Sequence, residues 1–196
     1  MAPRPPSFLA LAAKVLLGVV FVAYPVLVWQ GLRAGSPRVI AATLLCIVLP
    51  IAALRLRRAK NASLRGLAAV PIATAIGLVL SAVLDDAGFL LLVPTTINAI
   101  FLAVFGASLR RGSMPMVERF ARLQEETLSA EQRAWCRLWT IIWSAFFVAN
   151  GTCAAVLAAA APLDWWATYN GLVSYVLMGF LFAIEWTVRR RRFSRG

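Results

Sequence analysis

The stretch that decides the fold is LWTIIWSAFFVANGTCAAVLAAAA, residues 138–161. It runs from Leu138 to Ala161 without one charged side chain. An α-helix needs about 20 predominantly apolar residues to cross the hydrocarbon core of a bilayer. The stretch is long enough to do so, and the sequence therefore predicts a transmembrane helix here.

Composition extends this prediction to the whole chain. Of its 196 residues, 61% are hydrophobic and only 14% are charged. A soluble domain has about a quarter charged residues, so this chain has too little polar surface to coat a water-soluble protein. The net charge of +12 would suit a nucleic-acid partner. However, the basic residues fall between the hydrophobic blocks and form no helix face or patch, so we expect no nucleic-acid binding.

Six hydrophobic blocks of about spanning length follow one another along the chain. We predict an all-α, polytopic membrane helix bundle with six transmembrane helices, in a single domain of residues 1–196. The predicted crossings are residues 8–32, 39–54, 67–84, 88–109, 138–161 and 165–188. The second is the shortest and needs flanking residues or a locally thinned bilayer.

The placement of the basic residues predicts the orientation of the bundle. Apart from Arg4 near the N-terminus, they concentrate in the loop 55–65, in the segment 110–137 and in the tail. The exceptions near other helix ends are Lys14, Arg33 and Arg38. With six crossings, the basic segments all lie on one side of the membrane. The positive-inside rule makes that side cytoplasmic, so both termini are expected in the cytoplasm.

The segment 110–137, which we call the elbow, is the longest predicted connection. Its apolar residues recur at i, i+4 and i+7, which predicts an amphipathic helix lying in the interface plane between the fourth and fifth crossings. Ser129 and Gln132 form a capping-box pattern that should begin the next helix. The elbow either anchors the protein or docks a cytoplasmic partner or an anionic lipid. The contact residues predicted for it are Met116, Arg119, Phe120, Arg122, Leu123 and Trp135.

Few polar side chains occur within the predicted crossings. Asn98 lies in the fourth, Asn150 in the fifth, and Tyr169 and Asn170 early in the sixth. Exposing an asparagine side chain to lipid costs free energy, so these side chains are expected to point inward and form hydrogen bonds there. They either form hydrogen bonds between helices or line a small polar recess for a headgroup or an ion.

Small residues recur at four-residue spacing on three of the predicted helices. The repeats are Ala69, Ala73, Gly77 and Ser81, then Ala145, Ala149 and Cys153, and finally Gly171, Gly179 and Ala183, where Tyr175 occupies the position between the two glycines. Helices in lipid associate through close contact of small residues. We predict that these repeats are seams of the bundle, the alternative being the contact surface of a homodimer.

Glu185 lies in LFAIEWTVRRRR, residues 181–192, about one turn before four consecutive arginines. Glu185 and Arg189 are spaced i, i+4 in the favourable order for an ion pair. The sequence is compatible with two roles for Glu185, an anchoring ion pair and a functional carboxylate.

The chain has no histidine, and Cys46, Cys136 and Cys153 lack metal-ligand spacing. We therefore expect no metal, no cofactor and no catalytic residues.

Most of the chain resembles a bacterial inner-membrane family of unknown activity. The similar segments are PMVERFARLQEETLSAEQRAWCRLWTIIWSAFFVANG (115–151), DWWATYNGLVSYVLMGFLFAIEWTVRRR (164–191), AYPVLVWQGL (23–32) and NAIFLAVFGASLRRG (98–112). Members of that family are often encoded beside fatty-acid-type enzymes in aryl polyene or xanthomonadin pigment clusters.

More distantly, the C-terminal half is similar to the intracellular septation protein A family. The shared features include W-x-x-F-F from Trp143 to Phe147 and Trp-x-x-aromatic from Trp166 to Tyr169. That family often has a basic residue after the aromatic, where this chain has Asn170.

The resemblance implies a bacterial inner-membrane protein with a role in envelope or lipid metabolism. We expect an accessory or scaffold protein for a lipid or polyene acyl product, with no chemistry of its own. Its expected partners are membrane lipids and cytoplasmic acyl-synthesis enzymes. A small transporter or flippase is the alternative, and an acyl-handling enzyme using Glu185 comes third. The predicted ligand-site residues are Asn98, Asn150, Tyr169, Asn170 and Glu185.

Overall fold

The computed structural model describes residues 22–58, 69–125 and 127–193, and every regular element within them is helical. Helix α1 covers residues 22–34. The others are α2 (Pro37–Arg58), α3 (Ala69–Leu84), α4 (Ala87–Leu91), α5 (Val93–Ser108), α6 (Met116–Ala121), α7 (Ala130–Ala160), α8 (Leu163–Thr168) and α9 (Ser174–Phe193). A π-helical turn, Tyr169–Val173, joins α8 to α9. The predicted all-α class is confirmed.

Two helices are each long and apolar enough to cross a membrane, as judged by length and composition. They are Ala130–Ala160 and the continuous run Leu163–Phe193, and the shorter apolar helices are Pro37–Pro50, Ala69–Leu84 and Val93–Ser108. The count of six crossings therefore stays a prediction. The start of the predicted first crossing, Lys14 and the loop residues 59–68 lie outside the described residues.

Polar side chains lie inside the bundle, and large apolar side chains cover its outside. Thr74, Asn98 and Asn150 are buried, whereas Val83 is 66% exposed and Phe180 is 65% exposed. A water-soluble protein buries its large apolar side chains and exposes its polar ones. In a bilayer the surrounding solvent is itself apolar, and the observed distribution is the one expected there.

One end of the bundle carries the acidic turns. Arg33 Nη2, at the end of α1, lies 2.7 Å from Asp164 Oδ1 in the first turn of α8. The Arg38 backbone N–H, in the first turn of α2, donates to Asp85 Oδ1 at 2.9 Å. The connections α1–α2, α3–α4 and α7–α8 therefore meet at this end, and carboxylates there partner its two arginines.

The elbow and the end of α9 meet at another place on the bundle. Arg192 Nε lies 2.8 Å from Glu131 Oε1, and an Arg189–Glu125 pair joins the same two segments at 3.8 Å. The predicted capping box at the start of α7 is confirmed. The backbone N–H of Gln132 donates to the Ser129 hydroxyl, and the backbone N–H of Ser129 donates to the Gln132 side chain. The basic elbow and the basic C-terminal segment thus lie at the same end.

The predicted crossing 88–109 is an interrupted helix, broken just before Pro94 into α4 and α5. Proline has no N–H, so Leu90 O lacks the donor that a continuous helix would supply. The Tyr24 hydroxyl donates to Leu90 O at 2.9 Å, and Trp166 Nε1 donates to Leu91 O at 3.1 Å. Such breaks are tolerated in membranes where neighbouring helices satisfy the freed backbone groups. The two bonds tie α1 and α8 to this break.

A Tyr24→Phe variant is expected to lower the free energy of unfolding by about 1–3 kcal/mol, because it leaves Leu90 O buried without a donor. Thermal unfolding of the purified protein in detergent measures the change. In a Pro94→Ala background, residue 94 regains an N–H that can donate to Leu90 O. The same tyrosine substitution should cost clearly less there. An equal cost in both backgrounds would contradict the assigned role of Tyr24.

The predicted seams of small residues are wrong for α7 and α9. The exposed members of the repeats are Ala69, Ala145, Ala149, Cys153, Gly179 and Ala183. On α7 the bulky aromatic side chains fill the interior, so the small residues between them turn outward. The close approach lies instead at Gly151, where an added Cβ would be 2.9 Å from Asn98 Cβ. The homodimer alternative stays a prediction.

Candidate functional site

The interior of the bundle contains two apolar clusters with a polar layer between them. The first cluster, nearer the acidic turns, includes Tyr24, Val28, Leu44, Leu78, Leu90 and Trp166. The second, nearer the elbow, includes Phe105, Met116, Trp139, Trp143 and Phe147. Phe101 stacks on Phe147 with ring centroids 5.1 Å apart, which closes the second cluster toward the polar layer.

A chain of hydrogen bonds links three of the predicted site residues across α5, α7 and the π turn. Asn150 Nδ2 donates to Asn98 Oδ1 at 3.1 Å, and the Tyr169 hydroxyl donates to Asn150 Oδ1 at 3.0 Å. Asn98 Nδ2 in turn donates to Pro94 O at 2.9 Å. Asn98 is 8% exposed and Asn150 is 4% exposed, so both amides are removed from lipid and use each other as partners.

A recess of about 230 Å³ opens beside this chain. Its lining residues are Tyr24, Pro25, Val48, Thr74, Val93, Pro94, Ile97, Asn98, Phe101, Phe147, Asn150, Asn170, Ser174, Tyr175 and Met178. None of these residues carries a formal charge at neutral pH. The recess therefore combines apolar walls with neutral hydrogen-bonding groups, which suits an uncharged ligand.

Asn170 and Ser174 reach the recess from the last helix. Asn170 Nδ2 donates to Trp166 O at 2.9 Å, and the backbone N–H of Ser174 donates to Tyr169 O in the π turn. Single π turns inside α-helices occur frequently at functional sites. The turn places these two side chains one helical turn apart on the wall of the recess.

A larger groove of about 620 Å³ lies on the outer surface between α7 and the α8–π segment. Its lining residues are Ala149, Thr152, Cys153, Val156, Leu157, Trp165, Thr168, Tyr169 and Val173. Tyr169 lines this groove, and its hydroxyl bonds to Asn150, which lines the recess. The Tyr169–Asn150 hydrogen bond therefore connects a residue of the groove to a residue of the recess.

Glu185 lies apart from the recess and is partly buried against α7. Trp143 Nε1 donates to Glu185 Oε2 at 2.9 Å. The predicted ion pair with Arg189 is not formed, because Arg189 lies 3.8 Å from Glu125 of the elbow instead. Trp143 is only 8% exposed, so the carboxylate supplies the acceptor that its buried indole needs. Glu185 thus fastens α9 to α7.

Glu185→Gln and Glu185→Leu are expected to separate the acceptor role from the charge. Glutamine keeps an oxygen for the Trp143 indole and should change the free energy of unfolding by less than about 1 kcal/mol. Leucine leaves the indole unpartnered and should cost about 1–3 kcal/mol. Thermal unfolding with tryptophan fluorescence measures both. Equal losses for the two variants would show that the negative charge, and not the acceptor, stabilises this contact.

The elbow differs from the predicted helix in the interface plane. Its helix α6 has only six residues and packs on α7, because Ser108 and Thr140 hydroxyls accept its first backbone N–H groups at 2.9 and 3.2 Å. Met116, predicted as a contact residue, is fully buried and belongs to the core. Phe120 and Leu123 are 38% and 65% exposed, so they can still meet a membrane surface or a partner.

The other predicted contact residues of the elbow are held by interactions within the protein. Glu118, which is buried, lies 2.9 Å from Arg122, and Arg119 Nε donates to Met114 O at 3.1 Å. The Arg192 guanidinium lies 5.6 Å from the ring centroid of Trp135. These contacts fix the elbow against α7 and α9, and they leave its contact role a prediction.

The residues that could hold a metal are few. Within the described residues, no group of three or more histidine, cysteine, aspartate or glutamate side chains comes together in a metal-binding arrangement.

The groups that sequence reasoning missed are Tyr24, Thr74, Ser174 and the Trp143 partner of Glu185. Thr74 and Ser174 are buried polar residues within apolar runs, and that pattern could have marked them as facing the interior.

An apolar exterior, a polar interior layer and long apolar helices define a helical membrane protein. The sequence model of the family described as intracellular septation protein A matches residues 9–191. The chain therefore belongs to the intracellular septation protein A family, and it is a membrane protein of that type. No curated protein matches the chain, and no solved structure does.

Proposed function

We propose that the chain is a six-crossing accessory protein of the bacterial inner membrane that holds a lipid or polyene acyl product and performs no chemistry on it. The observation that carries this proposal is the recess of about 230 Å³, with apolar walls and uncharged polar groups, between two packed clusters. A site of this kind holds a neutral, mostly apolar molecule in place.

The charge distribution supports the proposed orientation. The elbow and the end of α9 share one end of the bundle through the pairs Arg192–Glu131 and Arg189–Glu125. Both segments are rich in arginine, and the positive-inside rule assigns such segments to the cytoplasm. In this orientation the exposed Phe120 and Leu123 face the cytoplasmic leaflet, where acyl-synthesis enzymes would meet the protein.

Reporter fusions after residue 124 and after residue 196 are expected to be active on the cytoplasmic side. Fusions after residue 86 and after residue 162 are expected on the opposite side, since these turns bear the acidic residues. Alkaline phosphatase and green fluorescent protein fusions report the two sides with opposite signals. Elbow and tail fusions on opposite sides would contradict the six-crossing scheme.

The test of function uses the full-length protein reconstituted in vesicles. Lipids that carry a photoactivatable group in the acyl chain should label the protein in a saturable manner, and labelled lipids should not change leaflet. The matched control is empty vesicles with the same lipid composition. Absence of saturable labelling by any chain probe overturns the proposal, as does product formation by the purified protein supplied with an acyl carrier substrate.

A flippase is the second proposal, and the groove favours it. The groove lies open at the outer surface of α7 and reaches Tyr169 beside the recess. Such an arrangement would let a headgroup pass from the bilayer toward the bundle interior. Movement of a fluorescent lipid between leaflets, detected with a membrane-impermeant quencher, would replace the accessory role by this one.

A further inference from the structure

Two polar groups in the recess make no hydrogen bond to another described residue. Asn170 and Ser174 are 5% and 8% exposed, and both line the recess. Asn170 Nδ2 donates to Trp166 O, and the hydrogen bonds among the described residues include none to Asn170 Oδ1, which is open to the recess. The Ser174 hydroxyl likewise makes no hydrogen bond among the described residues and lies on the recess wall. Polar groups in a protein interior normally have partners, so two polar atoms that face a recess without one indicate a place for a ligand or water.

The free atoms define what the ligand must offer. An amide oxygen only accepts hydrogen bonds, and a hydroxyl can accept as well as donate. The other amides of the recess are already paired with each other, as the Asn150–Asn98 bond shows. A ligand that completes the recess must therefore carry a donor, and a hydroxyl group is the simplest donor found on lipids.

The same recess disfavours a charged headgroup. Among the described residues that line it, none is a lysine, arginine, aspartate or glutamate. A phosphate or carboxylate there would be buried in a low-dielectric interior without a counter-ion, which is strongly unfavourable. The donor must thus belong to an uncharged molecule.

Tyr169 controls the connection between the recess and the lipid. Its side chain lines the groove, and its hydroxyl donates to Asn150 Oδ1 at 3.0 Å. The residue also begins the π turn, which places Asn170 and Ser174 on the recess wall. A rotation of Tyr169 that breaks its hydrogen bond to Asn150 would therefore join the groove to the recess.

Volumes are compatible with a headgroup inside and an acyl chain outside. Since a water molecule occupies about 30 Å³ in the liquid, the recess of about 230 Å³ holds a group of roughly eight non-hydrogen atoms. The groove of about 620 Å³ has walls that are almost entirely apolar. It has the size and polarity for part of an acyl chain.

We propose that the groove and the recess form one lateral binding site for an uncharged lipid with a hydroxyl headgroup, such as diacylglycerol. The lipid hydroxyl donates to Asn170 Oδ1 and pairs with Ser174, the chain lies along α7 in the groove, and Tyr169 is the gate between the two. The inference rests on the proposed function and names the class of lipid that the protein holds.

The test compares two photoactivatable lipids with identical chains, diacylglycerol and phosphatidylglycerol, each with a diazirine on the chain carbon nearest the head. Full-length protein in nanodiscs is irradiated, and labelled residues are mapped by mass spectrometry. Diacylglycerol should label the recess wall at Ile97, Phe101 or Met178 in a saturable manner. Phosphatidylglycerol should label only groove residues such as Val156 and Leu157.

Two variants sharpen the test. Ser174→Ala should weaken recess labelling by diacylglycerol roughly fivefold, as expected for the loss of one buried hydrogen bond. Thr43→Ala, at an exposed position of α2 that lines neither the groove nor the recess, should leave it unchanged. Tyr169→Phe should speed recess labelling, because the gate loses its bond to Asn150.

Several results would overturn the inference. Equal recess labelling by both lipids, labelling confined to the groove, or a Ser174→Ala variant that labels like the native protein would each do so. In all three cases saturable labelling persists, so the proposed function survives. Only the absence of saturable labelling by every chain probe removes both.

Discussion

Replacing Gly151 by alanine is expected to lower the unfolding temperature of the purified protein in detergent by roughly 5–10 °C, corresponding to about 2–3 kcal/mol. The new Cβ would lie 2.9 Å from Asn98 Cβ, which is too close for two carbon atoms in contact. Asn98 must shift, and α5 must move away from α7. The hydrogen bond between Asn150 and Asn98 is then stretched or lost.

Gly106→Ala is the matched control, because Gly106 also lies on α5 and no atom comes within 4 Å of an added Cβ there. Alanine favours the helix over glycine by up to about 1 kcal/mol, so this variant should be as stable as the native protein or slightly more so. Similar losses of unfolding temperature at both positions would mean that α5 and α7 do not meet at Gly151.

Asn150→Leu is expected to lower the free energy of unfolding by about 2 kcal/mol. The change removes the partner of Asn98 Oδ1 and the partner of the Tyr169 hydroxyl together. A buried polar group without a partner costs about 1–3 kcal/mol, whereas hydrogen bonds inside membrane proteins contribute about 0.6 kcal/mol on average. The adjacent recess can admit water to the freed groups, so the total should lie between these limits. Thermal unfolding in detergent provides the measurement.

A double-mutant cycle with Tyr169→Phe checks the assignment. In the native background, loss of the tyrosine hydroxyl should cost about 0.6–1 kcal/mol, since one hydrogen bond disappears. In the Asn150→Leu background the hydroxyl has already lost its acceptor, so the same substitution should cost nothing. If the free-energy costs of the two substitutions simply add, Tyr169 does not bond to Asn150. The proposed gate would then have no hydrogen bond that holds it closed.

The helical class and several helix ends could be predicted from local sequence, because their causes are local. The uncharged run 138–161 requires a helix in lipid, and the Ser129–Gln132 capping box begins α7 at Ala130. The break between α4 and α5 has a local signal too, since proline is favoured in the first turn of a helix. Pro94 occupies that place in α5. The predicted crossing 88–109 instead places Pro94 within one longer helix, which the structure corrects.

The buried face of each helix could not be predicted from spacing alone. Small residues repeat along α7 at Ala145, Ala149 and Cys153, yet the structure buries the face of Trp143 and Phe147. The small-residue face and the aromatic face of α7 both recur with helical periodicity. Only the neighbouring helices determine which of the two faces is buried. Bulky rings filled the interior here, so Gly151 became the point of close approach.

The candidate site was predictable as a set of residues but not as a geometry. Buried asparagines must find partners, which correctly indicated that Asn98 and Asn150 face inward, but their pairing across 52 positions follows from the fold. At Glu185 the local i, i+4 rule suggested Arg189. Trp143, separated from Glu185 by 42 positions, supplies the observed contact. Long-range pairs of this kind have no sequence spacing to reveal them.

The two backbone oxygens freed at the break before Pro94 also constrain how the protein is made. Leu90 O depends on Tyr24, which leaves the ribosome early, whereas Leu91 O depends on Trp166, which leaves it near the end of synthesis. Until that late tryptophan docks, Leu91 O lacks the side-chain donor that it has in the finished bundle. Membrane assembly of this chain is therefore completed only when its last helix is inserted.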